Sequence, residues 1–318
     1  MAWRGPLLKL VAALAVFGVV QGLITAGVVD DFALITIITI CINIVLATSL
    51  NLITGFTGQF SLGHAGFMAL GAYVTGLFTI QYPTLGGFAV GLLLGSLAAA
   101  LVGLLVGLPT LRLRGDYLAI ATLGMAEIIR VTLLTLDITN GAAGLNGIPP
   151  FMDWPTAFAL TLVTVVLIGN YLRSRHGRDC IAVREDETAA DAVGVNTTFA
   201  KVSAFVVGAF FGGLAGGMYA SYFFFLKPDQ FGFLKSVDIL VIVVLGGMGS
   251  LSGSVIGAIL LGLLSTATQG VPEVRMIVYG LVLVVIMVFR PQGLLGDSEL
   301  SWRMLRRLVG SRRTEAQP

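Results

Sequence analysis

Residues 32–111 read FALITIITIC INIVLATSLN LITGFTGQFS LGHAGFMALG AYVTGLFTIQ YPTLGGFAVG LLLGSLAAAL VGLLVGLPTL, without one Asp, Glu, Lys or Arg. A helix that crosses the hydrocarbon core of a bilayer needs about 20 apolar residues. The stretch therefore holds three crossings, broken at Gly55–Gln59 and at Pro83–Gly87. Working outward, charge-free runs recur between Lys9 and Asp30, Asp153 and Arg173, Lys201 and Lys227, and Asp238 and Glu273, with a shorter one between Arg275 and Arg290. The whole chain has 318 residues, 56% hydrophobic and 11% charged, and a mean hydropathy of +0.94. Soluble domains carry about a quarter charged residues. A soluble enzyme, a disordered chain and a nucleic-acid binder are thereby excluded.

The expected fold is an all-α polytopic membrane protein of about ten transmembrane or broken helices. The predicted spans are 7–29, 32–54, 61–81, 87–111, 116–136, 156–173, 202–225, 236–248, 253–269 and 274–290. The eighth is short before Gly246-Gly247-Met248-Gly249, so 236–269 reads either as two crossings or as a broken, re-entrant helix. The apolar core from Leu10 to Val29 is longer than a signal-peptide core and reads as an uncleaved anchor. With ten crossings and both termini inside, Arg112, Arg114, the Arg173–Lys201 group and the Arg290–Arg313 group all face the cytoplasm, while only Lys227, Lys235 and Arg275 lie outside. This asymmetry favours that orientation over its inverse. Residues 1–296 form the membrane domain, with a cytoplasmic loop at 173–201, and 297–318 a basic cytoplasmic tail that is either a membrane-surface helix or a solvated end.

Gly55, Gly58, Ser61, Gly66 and Gly71 recur, in the same spacing, as Gly246, Gly249, Ser252, Gly257 and Gly262. That is either a parallel internal repeat, as transporters often contain, or a chance alignment in a chain with 41 glycines. Gly87-Gly91-Gly95 and Gly208-Gly212-Gly216 have the spacing that lets helix backbones approach closely.

Polar residues inside apolar spans are the candidates for a translocation path. Asn51, Gln59, Ser61 and His64 gather around the second and third spans and need partners or water. Glu127 lies about 16 Å along the fifth span from Asp116 at 1.5 Å per residue. Arg130 shares its face, and the two form either a packing ion pair or a polar wall of the path. His64 is one of only two histidines, so no multi-histidine metal site is available, and no catalytic cluster of Asp, His or Cys is evident.

The cytoplasmic loop contains Arg184-Glu185-Asp186-Glu187-Thr188-Ala189-Ala190, with Gly194 placed to close a short surface helix in the left-handed region. Glu187, Ala189, Ala190 and Gly194 stand in a pattern that resembles the EAA loop of ABC-importer permeases. Together with Asn51–His64, Arg112–Gly124, Gly246–Gly253 and Arg290–Gly296, the chain resembles the branched-chain amino acid permeases of the LivM subgroup over about residues 30–296. That resemblance implies a heterodimer with a second, homologous permease subunit, two cytoplasmic ATPases that bind ATP and Mg, and a periplasmic substrate-binding protein, in the bacterial inner membrane. It also implies that Arg184, Glu185, Asp186, Glu187, Ala189, Ala190 and Gly194 meet an ATPase. The chain's own residues agree with that division of labour. A phosphate-binding P-loop needs Gly-Lys-Ser/Thr, and neither Lys9, Lys201, Lys227 nor Lys235 stands in that context. No cofactor is expected on this chain. The alternatives are a urea- or amide-specific permease of the same family and a stand-alone secondary transporter that uses Glu127 and Arg130 as coupling charges.

Overall fold

The computed structural model describes residues 4–110, 113, 115–267, 280, 281, 284, 293 and 294, with side chains from residue 14 onward. The described chain is all-α apart from two strands of two residues each. The helices are α1 (Arg4–Thr25), α2 (Asp31–Asn51), α3 (His64–Gln81), α4 (Leu85–Thr110), α5 (Asp116–Thr135), α6 (Trp154–Arg173), α7 (Arg175–Glu185), α8 (Glu187–Ala192), α9 (Thr197–Phe223), α10 (Phe233–Gly246) and α11 (Leu251–Ala267). A π-helical turn, Leu52–Phe56, extends α2. Five helical stretches are long and apolar enough to cross a membrane: Asp31–Phe56, Leu85–Thr110, Asp116–Thr135, Trp154–Arg173 and Thr197–Phe223. These match predicted spans to within a few residues. The predicted span 274–290, apart from residues 280, 281 and 284, and the tail 297–318 lie outside the described residues.

α2 runs through the interior. Val45, Leu46, Ala47, Thr48, Ser49, Leu50 and Asn51 are all 0% exposed, as expected of a helix apolar on every side. A second centre of packing is the trio α3, α4 and α9, whose crossing is made of small residues. Gly71 of α3 faces the backbone of Gly213 on α9, and Gly216 faces the backbone of Met68 and Ala72. Gly95 of α4 lies against Gly71 and Thr75, and Gly208 against Ile53. Both glycine stripes thus serve helix packing, as their spacing predicts. α4, α5 and α6 leave Leu93, Leu97, Leu101, Ile120, Ile128 and Leu167 exposed, an apolar outer surface suited to lipid or to a neighbouring subunit.

The eighth predicted span takes a form that the sequence left open. α10 has 14 residues, about 21 Å at 1.5 Å per residue, too short for a core about 30 Å thick. Before α10 the chain folds back into the bundle. Phe224, in the left-handed region at φ 50°, ends α9. Phe225–Leu226 then pairs antiparallel with Leu145–Asn146, and a 3-10 turn follows at Pro228–Phe231. Tyr73, halfway along α3, donates its hydroxyl to the Leu226 carbonyl at 3.3 Å, and its ring meets Phe231 edge-on. Leu226 and Phe231 are 0% and 1% exposed. Non-helical backbone at this depth survives only because protein surrounds it. α10 and α11 then form a tight hairpin, with Gly246 against Gly253 and Gly257 against Ile242. Helix–glycine loop–helix order therefore occurs at both copies of the glycine pattern. The two pairs nevertheless pack differently, since Gly71 faces α9 whereas Gly262 faces Ile40 of α2.

Replacing Gly216 by Leu inserts a side chain where the Met68 and Ala72 backbone already sits. Overpacking costs typically 1–3 kcal/mol or more, so Gly216→Leu is expected to lower the unfolding temperature of the detergent-solubilised protein. Gly22→Leu, at a position with nothing within 4 Å, is expected to leave it unchanged.

Candidate coupling and translocation site

The predicted site residues fall into three groups, two of which meet. The first gathers where α2 ends. Asn51 turns its amide into the α10–α11 loop: Nδ2 donates to the Ser250 carbonyl at 2.9 Å and to Ser254 Oγ at 2.7 Å, and Oδ1 accepts from the Gly249 N–H at 2.9 Å. Gly55, one turn on, lies against the Asn51 amide and the Gly249 N–H, so any side chain there would displace both. His64 opens α3, fully buried, with Nε2 at 2.8 Å from Ser49 Oγ and its ring against Gly212. Ser61 is 1% exposed and accepts from the Gly63 N–H at 3.4 Å. Gln59 is 4% exposed, and neither atom of its amide has a protein partner. Among the described residues, no group of three metal-ligating side chains gathers.

The second group is the polar loop. The sequence suggests one short helix over 184–194; the structure has two helices with a break at Asp186. Asp186 is extended at φ −158°, and its Oδ1 accepts from the Thr188 and Ala189 N–H groups at 2.8 and 3.0 Å. An Asp that satisfies orphan N–H groups is a strong helix start, so it ends α7 and begins α8. Gly194, at φ +87°, closes α8, with the Val195 N–H returning to the Ala190 carbonyl at 3.0 Å. Ala190 is buried while Ala189 is exposed. Glu185 and Val193 are exposed as well. Cys180 packs α7 against α9, donating to the Ala200 carbonyl at 3.4 Å, and burial pushes its thiol pKa up. Cys180 and Cys41 are both free, buried thiols.

These two groups touch. Arg184 Nη1 donates to the Gly55 carbonyl at 3.1 Å, while its Nε and Nη2 hold Glu185 Oε1 at 3.0 and 2.7 Å. Gly58 packs on the Arg184 side chain. Glu187 pairs with Lys201 on α9 at 2.6 Å. The loop is thereby fastened at once to the end of α2 and the start of α9. Lys201 was not among the predicted site residues. The available signal was its place as the lone lysine where the charged loop enters the seventh predicted span.

The third group stands apart, toward the other end of the bundle. Arg130 bonds Glu127 at 2.7 Å and also Asp229 at 2.9 Å. Asp229 belongs to the segment that folds back beneath Tyr73, so the pair acts as a clamp on that segment. Asp229 is another residue that sequence reasoning missed, because nothing local links it to Arg130.

Residues 32–287 match the family described as "Branched-chain amino acid transport system / permease component". The chain belongs to this permease family. It is 37% identical over 289 residues to the high-affinity branched-chain amino acid transport system permease protein LivM of Salmonella typhimurium, covering 80% of this chain and 68% of that protein. Identity to LivM of Escherichia coli is 36% over 308 residues, 86% of this chain and 71% of that one. The permease is also 32% identical to LivH of Escherichia coli over 150 residues, 46% of this chain and 47% of LivH. No solved structure matches the chain.

Asn51→Leu preserves bulk but strips the buried Gly249 N–H of its partner, while the Ser250 carbonyl keeps the Ser254 N–H. Each unsatisfied buried group costs about 1–3 kcal/mol. A lower unfolding temperature and faster proteolysis within residues 246–251 are expected; an unaltered melting curve would contradict the assigned role.

Proposed function

We propose that this chain is one permease subunit of an ATP-driven ABC importer in the bacterial inner membrane, with both termini cytoplasmic. It moves branched-chain amino acids inward by alternating access. Its partners are a second, homologous permease subunit, two cytoplasmic ATPases that bind ATP and Mg, and a periplasmic substrate-binding protein. The chain performs no chemistry on its cargo. The observation that carries this reading is the Arg184–Gly55 bond, which joins the exposed two-helix loop directly to the buried end of α2. A handle on the outside of the bundle needs such a connection to move something inside it.

Arg184, Glu185, Asp186, Glu187, Ala189, Ala190 and Gly194 form the ATPase-facing unit in this proposal. Asp186 and Gly194 define the ends of α8, Ala190 seats it, and Glu185 and Ala189 offer the exposed edge. Asn51, Gln59, Ser61 and His64 line the moving parts next to the path. Glu127 and Arg130 serve a structural clamp with Asp229, which weakens the alternative of a secondary transporter driven by those two charges.

Vesicles containing the assembled complex are expected to take up leucine, isoleucine and valine in an ATP-dependent manner, with urea and small amides as poor competitors. Failure of all three amino acids would remove the substrate assignment. Gly194→Asp adds a charge at an exposed site with nothing within 4 Å. Asp and Asn both tolerate left-handed backbone better than other residues, so Gly194→Asn is the matched neutral control. Gly194→Asp is expected to insert normally yet lose transport by about tenfold, the equivalent of 1.4 kcal/mol of docking, with Gly194→Asn near wild type. Normal uptake by Gly194→Asp would count against the coupling role.

A further inference from the structure

α2 does not end on an α-helical turn. It continues at Leu52–Phe56 as a π-helical turn whose residues are all buried. Two bonds hold that shape. The Thr57 hydroxyl donates to the Leu52 carbonyl at 2.9 Å, and the Gln59 N–H donates to the Ile53 carbonyl at 3.1 Å. An α-helix would give those carbonyls to the Phe56 and Thr57 N–H groups instead. We propose that this turn is a two-state hinge of the transport cycle, rewinding toward α-helical bonding when the α7–α8 loop moves, with Gln59 as the residue that balances the two states. The inference rests on the proposed function and deepens it by naming the part of α2 that moves.

Three observations converge. First, the region is short of partners. Among the described residues seven buried side-chain N or O atoms lack a hydrogen bond, and three of them, Thr54 Oγ1 and both ends of the Gln59 amide, lie in or just after this turn. Buried polar atoms are nearly always paired, and an exception marks stored strain or function. An amide with its donor and its acceptor both idle costs this state stability that a state pairing them recovers. Second, a π turn bonds one residue further along the chain than an α turn does. Rewinding therefore hands a residue to the loop before α3 and carries Thr54 and Gln59 to new neighbours. Gly58, at φ +74°, gives that loop the freedom to take it. Third, the turn is wired to the loop of α7 and α8, because Arg184 Nη1 donates to the Gly55 carbonyl at 3.1 Å. Gly55 is packed against the Asn51 amide and the Gly249 N–H. Elements packed this closely switch between discrete arrangements rather than bend gradually.

A switch responds only to a contact that differs between its two states. The Arg184–Gly55 bond is such a contact, made here with the turn in its π form. A movement of α7 that draws Arg184 away from Gly55 takes one bond from this form and leaves the idle Gln59 amide to favour the other.

The test uses the full-length chain with its co-purifying subunits in nanodiscs. Hydrogen–deuterium exchange of the segment 50–60 is read by mass spectrometry without nucleotide and with ATP plus vanadate. In the wild type the two conditions are expected to differ in exchange rate by about tenfold, the scale on which one differential bond shifts a two-state equilibrium. In Gln59→Leu they are expected to coincide. That variant removes an amide that bonds only in the other state, so its nucleotide-free unfolding temperature should rise while leucine uptake in vesicles falls by about tenfold. Thr57→Val, of similar shape, removes a bond that holds the π turn and is expected to act with the opposite sign, speeding nucleotide-free exchange and lowering the unfolding temperature. Equal exchange in both conditions, in a wild-type complex that transports leucine, would overturn the hinge and leave the proposed function standing. Gln59→Leu with normal uptake would reduce Gln59 to a packing defect, and a lowered unfolding temperature would mean that its amide is already paired in this state; either result overturns the inference. A wild-type complex with no ATP-dependent leucine uptake would instead sink the reading on which the hinge rests.

Discussion

The side-chain amide of Asn51 bonds Gly249, Ser250 and Ser254 in a region without exposure to solvent. It stitches the end of α2 to the hairpin loop between α10 and α11. Around it the chain has no slack. Gly55 must lack a side chain because the Asn51 amide and the Gly249 N–H fill that space. Gly293 lies against Gly247, and the Leu294 N–H bonds the Leu245 carbonyl at 3.0 Å. An uncharged amide suits this place. A carboxylate or ammonium would need a counter-charge in hydrocarbon, whereas an amide satisfies a donor and an acceptors' pair with its own two ends.

Much of the fold was legible because a bilayer punishes charge and unpaired backbone so heavily. The charge-free runs around 32–111 could only be spans, and their limits agree with α2, α3 and α4. Glycine spacing announced the α3–α4–α9 contact for an equally simple reason, that backbones meet only where side chains are absent. The site was legible in part. Asn51, Gln59, Ser61 and His64 were visible as polar residues in apolar surroundings, but the partner of Asn51 lies 198 residues away and no local rule points to it. Asp229 was hidden for another reason. With Lys227 and Pro228 it looks like an ordinary surface loop, and only the buried neighbours Leu226 and Phe231 reveal that the loop dives inward. The short surface helix expected before Gly194 turned out to begin only after Asp186, and the break between α7 and α8 had no local signal beyond that Asp.

The separation of the charged clamp from the neutral polar cluster has its own logic. Glu127 and Arg130 retain 37% and 24% side-chain exposure, so neither bears the full cost of burial. Broken pairs of buried charge are expensive, while half-solvated ones are less so. The clamp thus holds the folded-back segment from its open side, where the Asp229 side chain is 74% exposed. Deeper in, Ser49–His64 and the Asn51 amide use groups that carry no net charge in their bonded forms.

The loop of α7 and α8 draws these parts into one connection. α7 and α8 hold α9 through Cys180 and the Glu187–Lys201 pair, and hold α2 through Arg184. Each attachment is direct, with no flexible linker between the exposed edge and the bundle. α2 receives the Arg184 bond on its π-helical turn, the one stretch of that helix whose hydrogen-bond ladder departs from the α pattern. Such turns often mark functional sites. The same turn faces the Asn51-bound loop, so a displacement of α7 cannot reach α2 without also bearing on α10 and α11. Short, doubly capped helices suit this contiguity: a flexible strand at 184–194 would leave the exposed edge loosely tied to Gly55.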